Sequence, residues 1–161
     1  MSESTTFERA IWIVGIDPGL TGAIALLHDS VLQDVVDMPH YDGRVDCQAL
    51  AAQLMTYQPD VIVVEDVHSM PKQGVASSFK FGRSLGAIEG AIGALSLPHV
   101  KLTPQRWKQK MGLLKKDKDA SRGLARELWP HKADEFKLKK HDGRAEAALM
   151  AEALRRMTWD S

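Results

Sequence analysis

Cysteine is nearly absent from this sequence: Cys47 is the single one in 161 residues. That excludes an internal disulfide and a cysteine-rich zinc site, and Cys47 is expected to be an ordinary packed thiol. Also lacking is an apolar run long enough to span a bilayer. Residues 1–9 are polar and carry no hydrophobic stretch of the signal-peptide kind, so they are expected to be flexible and the protein cytoplasmic. The 44% of apolar residues suffices for one core, and a single domain over 1–161 is the simplest organisation.

Net charge is absent too, yet the zero averages two opposed parts. Residues 1–70 hold 2 basic against 11 acidic side chains, whereas 71–161 hold 19 basic against 10 acidic. Such segregation predicts an acidic site in the first part and an anion-binding surface in the second. Solvated helix faces would explain the number of charges but not their separation.

The first part is organised around IWIVGIDPGLTGAIALL, residues 11–27. An apolar run, read as a strand covered on both faces, leads to Asp17; Pro18, Gly19 and Gly22 turn the chain, and residues 23–27 lead away as a second strand. A carboxylate at the end of a buried strand is costly unless paired or bound to a metal, so Asp17 requires partners. Residues 31–38 predict a third strand and complete an antiparallel meander. A helix is predicted over 45–57 from the spacing of Cys47, Leu50, Ala51, Leu54 and Met55, stopped by Gln58-Pro59-Asp60. It crosses over to Val61–Glu65, whose four β-branched residues mark a central strand and whose terminal Glu65 repeats the Asp17 pattern. Because side chains alternate across a strand, Glu65 and Asp66 cannot both face one site, and Glu65 is assigned to it.

In the second part, residues 66–78 read as an irregular loop and 78–95 as a helix. Gly82, Gly86 and Gly90 lie along one line of that helix, a groove that packing within the chain is expected to fill, with a second copy of the chain as the alternative. Residues 99–102 form a short fifth strand closed by Thr103-Pro104, a helix-start signature. Residues 101–140 carry 13 basic and 5 acidic side chains and suit a phosphate backbone, while Trp107 within them reads as a core anchor. A helix is predicted over 119–128. The last element, DGRAEAALMAEALRRM, is a strong helix over 142–157. Its Asp142 and Glu146 share a face of the first turns, and the small Ala145, Ala147 and Ala148 let the helix lie close to the sheet. Asp142 as an N-cap is the alternative. The outcome is an α/β chain with a mixed five-stranded sheet, antiparallel in strands 1–3 and then parallel in strands 4 and 5, flanked by helices.

Four carboxylates thus recur in one setting: Asp17, Glu65, Asp142 and Glu146. Such a cluster is unstable without cations. Hard oxygen ligands suit Mg2+ or Mn2+, and two such ions about 4 Å apart can serve phosphodiester hydrolysis.

The segments IDPGLTGA, VVVED and HDGRAEAALMA, in that order, resemble the RuvC-like Holliday-junction resolvases, and the resemblance covers nearly the whole chain. It implies a ribonuclease-H-like fold and a homodimer that binds four-way DNA junctions. It also implies an endonuclease making paired nicks with Mg2+ or Mn2+ in recombination, repair or phage DNA processing. By motif position, the catalytic and metal-binding acids fall on Asp17, Glu65, Asp142 and Glu146. Many members space the last acids, or a histidine and an acid, three residues apart; here the spacing is four and His141 stands alongside, which makes His141 an alternative ligand. His68 takes the place of an aromatic that often stacks on a junction base; Phe79 and Phe81 could take over the role, although packing in the helix core is the role expected of them. Lys108 and Lys118 match phosphate-binding lysines, followed by Lys116 and Arg122, and the wider basic set adds Lys72, Lys80, Arg83 and Arg106. A branch-migration helicase partner is implied by analogy alone.

Two rivals stand beside this reading. Asp17, Gly19 and Thr21 also resemble the phosphate-binding turn of actin-like ATPases and sugar kinases, but 161 residues cannot supply both lobes. A junction-binding protein that does not cut would require one of the four acids to be lost.

Overall fold

The computed structural model describes residues 10–68 and 72–160. The expectation of flexibility for residues 1–9, and the middle of the predicted 66–78 loop, lie outside the described residues. The first apolar runs form β1 (Trp12–Asp17), β2 (Ala23–His28) and β3 (Val31–Asp37), followed by the two-residue strands β4 (His40–Tyr41) and β5 (Arg44–Val45). Then come α1 (Cys47–Tyr57), β6 (Val61–Glu65), α2 (Val75–Ala94), β7 (His99–Leu102), α3 (Pro104–Lys110) and α4 (Lys118–Leu128). Two short 3-10 segments, Pro130–Phe136 and Lys139–His141, lead into α5 (Asp142–Trp159).

The main sheet has five strands in the order β3-β2-β1-β6-β7, antiparallel between β1, β2 and β3 and parallel from β1 through β6 to β7. This is the expected mixed sheet. An unforeseen addition is the β4–β5 ribbon, turned by Asp42 and Gly43 at φ 50° and 69°. An Asp-Gly pair with both φ positive is the favoured two-residue hairpin turn, so the signal was local and present. The ribbon delays the first helix to Cys47, where the Asp46 carboxylate accepts from the Ala49 amide at 3.0 Å as its N-cap.

Alternation along the strands assigns the two faces. Val14, Ile16, Ile62 and Val64 meet α1 and α2 in one core, while Ile13, Val63, Trp107, Trp129 and Phe136 join α5 in the other. Odd-numbered residues of β1 and β6 therefore face α5, and Asp17 and Glu65 end those rows. The α5 helix lies almost on the sheet: a Cβ at Gly15 would stand 2.0 Å from the Ala147 carbonyl oxygen. Among the described residues, no helix is long and apolar enough to cross a membrane.

Two expectations need correction. Cys47 is not packed but exposed, because it opens α1 on its solvent side, and Met55 is likewise 61% exposed; only Leu50 and Leu54 carry the buried face. Nor does packing within the chain fill the glycine line of α2. A Cβ at Gly82, Gly86 or Gly90 would meet nothing within 4 Å, since the helix buries Ser84, Ile88, Ala91 and Ile92 instead.

Gly15→Ala forces a methyl group against helix backbone, which cannot yield as a flexible side chain would. It should cost at least about 1–3 kcal/mol, the usual range for overpacking. Chemical denaturation should give a lower midpoint with an unchanged slope.

Candidate metal centre

The parallel register that pairs Ile16 with Val64 brings the ends of β1 and β6 side by side, and with them Asp17 and Glu65. The close seat of α5 adds Glu146 from its second turn. One carboxylate oxygen from each of Asp17, Glu65 and Glu146 lies within 4.8 Å of the others. Glu65 is buried and the Glu146 side chain is 12% exposed. Burial, followed by the charges of Glu146 and Glu65, pushes the Asp17 carboxyl well above its ordinary range. Burial also pushes Glu65 up, against a hydrogen bond from Trp107 that favours its charged form and with the Glu146 charge adding to the rise. A buried set of three hard oxygen donors that resists carrying its full negative charge alone fits a divalent cation such as Mg2+ or Mn2+.

Asp142 and His141 do not join this group. Asp142 Oδ1 lies 2.9 Å from Nε of the buried Arg122, and the same guanidinium also pairs with Asp119. Gly143 stands three residues before Glu146, and it could not supply a ligand in this arrangement, because a Cβ there would meet the Thr21 carbonyl oxygen at 2.6 Å and Asp17 Oδ2 at 3.1 Å. His141 is buried behind the helix start, where its Nδ1 accepts from the Leu138 amide at 3.1 Å. Burial and the Arg144 charge push its pKa down.

The acids open into a cleft of about 840 Å3 that is also lined by Lys118, Lys80, His68 and Phe81. Lys118 Nζ is 3.9 Å from Glu146 Oε1. His68 is largely exposed and 3.8 Å from Asp66. Phe79 is 66% exposed beneath the Arg83 guanidinium, which sits 5.7 Å from its ring centroid. Lys72, Arg106 and Lys116 are exposed but do not line the cleft. Lys108 Nζ lies 5.4 Å from the centre of the Trp107 ring. Arg122 is the exception: it is buried and spent on Asp119 and Asp142, so it is no free phosphate ligand in this arrangement. Sequence reasoning placed Trp107 in the core, where it is fully buried, but missed that its Nε1 donates to Glu65 Oε2 at 2.7 Å. No local pattern announces that contact, which depends on a helix packing beside a strand end.

No family profile and no curated protein sequence matches the chain. Solved structures do. Thermus thermophilus RuvC superposes with a TM-score of 0.64 at 20% identity, covering 91% of this chain and 96% of that one, and it has also been solved in complex with a Holliday junction substrate. The fowlpox virus Holliday junction resolvase gives 0.60 at 19% identity, covering 91% and 99%. The yeast mitochondrial resolvase Ydc2 gives 0.59 at 14%, covering 89% and 78%. The chain therefore has the fold of the RuvC-like, ribonuclease-H-like resolvases.

In metal-free protein, Asp17 and Glu65 hold protons more tightly folded than unfolded. Their contribution to stability is fully present below the unfolded carboxyl values of about 4 and is lost as pH rises through the raised folded values. Melting temperatures in chelator should thus fall as pH rises above about 4. Asp17→Asn should flatten that fall and raise the metal-free melting temperature at the alkaline end; an unaltered profile would contradict its origin in the burial and like charge of the acid cluster.

Proposed function

We propose that this chain is a divalent-metal-dependent endonuclease that cuts four-way DNA junctions, acting as a homodimer. The observation that carries the reading is the convergence of Asp17, Glu65 and Glu146 within 4.8 Å at the mouth of a cleft whose walls bear Lys80 and Lys118. Structural likeness to RuvC in complex with a Holliday junction substrate supports the choice of DNA. A homodimer suits the substrate, since a four-way junction offers two equivalent strands and each subunit can reach one.

Asp17, Glu65 and Glu146 would hold the cation, which supplies Lewis-acid stabilisation of a phosphodiester and an activated water. Three carboxylates with water make a sufficient donor set for one ion. A second ion would draw on further donors, with Asp142 the expected one. The residues themselves do the positioning: the strand ends fix Asp17 and Glu65, and Lys118 and Lys80 present positive charge to a phosphate near them. His68 and Phe81 are the cleft residues able to stack on a base.

One observation favours a second reading, a junction-binding protein that does not cut. Asp142, the fourth acid of the motif, is engaged by Arg122 rather than turned to the other three.

A labelled synthetic four-way junction incubated with Mg2+ or Mn2+ separates the two. Cleavage is expected, with Asp17→Asn losing at least about 10-fold in rate while still binding the junction, the lower end of what loss of even a ligand's supporting partner costs. Binding without cutting in every metal would favour the second reading. Junction affinity should fall steeply with salt, and Lys80→Ala should weaken it and reduce the log–log salt slope by about 1. Affinity indifferent to salt would remove the cleft cations from the reading.

A further inference from the structure

The bond between Trp107 and Glu65 invites a role beyond packing. It arises from the chain path. β7 pairs with β6 in a register that sets Leu102 opposite Glu65, and the Asp66 amide donates to the Leu102 carbonyl at 2.7 Å. The chain then turns at once into α3, started by Thr103, whose hydroxyl accepts from the Arg106 amide, and by Pro104. That short path fixes the first turn of α3 beside the end of β6 and brings the indole over Glu65. The ring is fully buried, and its Nε1 donates to Oε2 at 2.7 Å. An indole N–H can only donate, so it engages a carboxylate in one sense. Because the indole itself is fully buried, no other partner would replace it cheaply.

We propose that Trp107 is a positioning residue for the metal centre: its indole N–H holds one oxygen of Glu65 and thereby leaves the other to serve as ligand. The proposal rests on the metal-centre reading above. Partners that fix ligands in this way generally raise metal affinity by 10- to 100-fold. Filling space is the competing account, and shape separates the two. Phenylalanine keeps most of the ring volume and loses only the donor and the second ring.

The test is Mn2+ titration by calorimetry on full-length wild type and Trp107→Phe. The variant should bind Mn2+ about 10- to 100-fold more weakly. Junction binding in chelator should be unchanged. Cleavage by the variant should need correspondingly more Mn2+ and approach the wild-type rate at saturation, a split that mere loss of packing would not produce. Equal Mn2+ affinity in the two proteins overturns the positioning role and leaves the metal-centre reading intact. Wild type that binds no Mn2+ overturns both. Should Trp107→Phe not fold, the wild-type protein decides: the Trp107 indole proton should shift in the nitrogen–proton NMR spectrum on Mg2+ addition, with the other indole protons nearly still. An unmoved Trp107 signal then overturns the proposal.

Discussion

Three carboxylates within 4.8 Å is the constraint from which the other features of this protein follow. Two like unit charges at such a distance repel by roughly 3 to 4 kcal/mol at an effective dielectric of about 20. Domains of this size are stable by only about 5–15 kcal/mol, so the cluster cannot carry full charge unaided. Something positive must come to it, and a proton or a cation are the two candidates the site admits. Burial and the neighbouring charges together raise the proton affinity of Asp17, and a divalent ion is the partner its oxygen donors fit.

Holding the acids together takes rigid elements on both sides. β1 and β6 are neighbours in a sheet buried on both faces, so Asp17 and Glu65 cannot drift apart without breaking the ladder. α5 brings Glu146 because Gly15 leaves its backbone room against the strand. The same closeness constrains the helix start: Gly143 faces Thr21 and Asp17 with no space for a side chain. Asp142 lies at the very first position of the helix, where its carboxylate meets Arg122 from α4 instead of the cluster. An arginine buried between Asp119 and Asp142 becomes structural, which explains why it is withdrawn from the basic surface.

The parts legible in the sequence were those with a strong local period or a sharp boundary. Each central strand is an apolar run ending in an acid, and each reveals both the strand and a member of the acid cluster at once. The parity argument that separates Glu65 from Asp66 needs nothing beyond the pleat. What resisted was everything decided between elements. Cys47 and Met55 fit a helical stripe on paper, yet the seat of α1 on the sheet uses a narrower face of Leu50 and Leu54. The glycine line of α2 suggested close packing, and the helix turned it outward. Arg122 looked like its basic neighbours because charge type in a sequence carries no information about burial.

Charge segregation along the chain has the same lesson in a stronger form. The acidic first part supplies the strand ends, and the basic second part supplies Lys80 from α2 and Lys118 from α4 to the cleft beside them. Not every cation of that part serves the surface. Arg144 is bound to Asp37 and Glu135, Arg126 donates to the Phe136 carbonyl, and Arg122 holds Asp142. The arginines thus tie the helical layer together through fork-shaped donors that can satisfy several acceptors at once. The lysines at the cleft, as compact point charges on flexible stems, remain able to move toward a phosphate. Division of labour between the two basic residue types, rather than their number, is what turns a neutral chain into one with an acidic centre and a cationic rim.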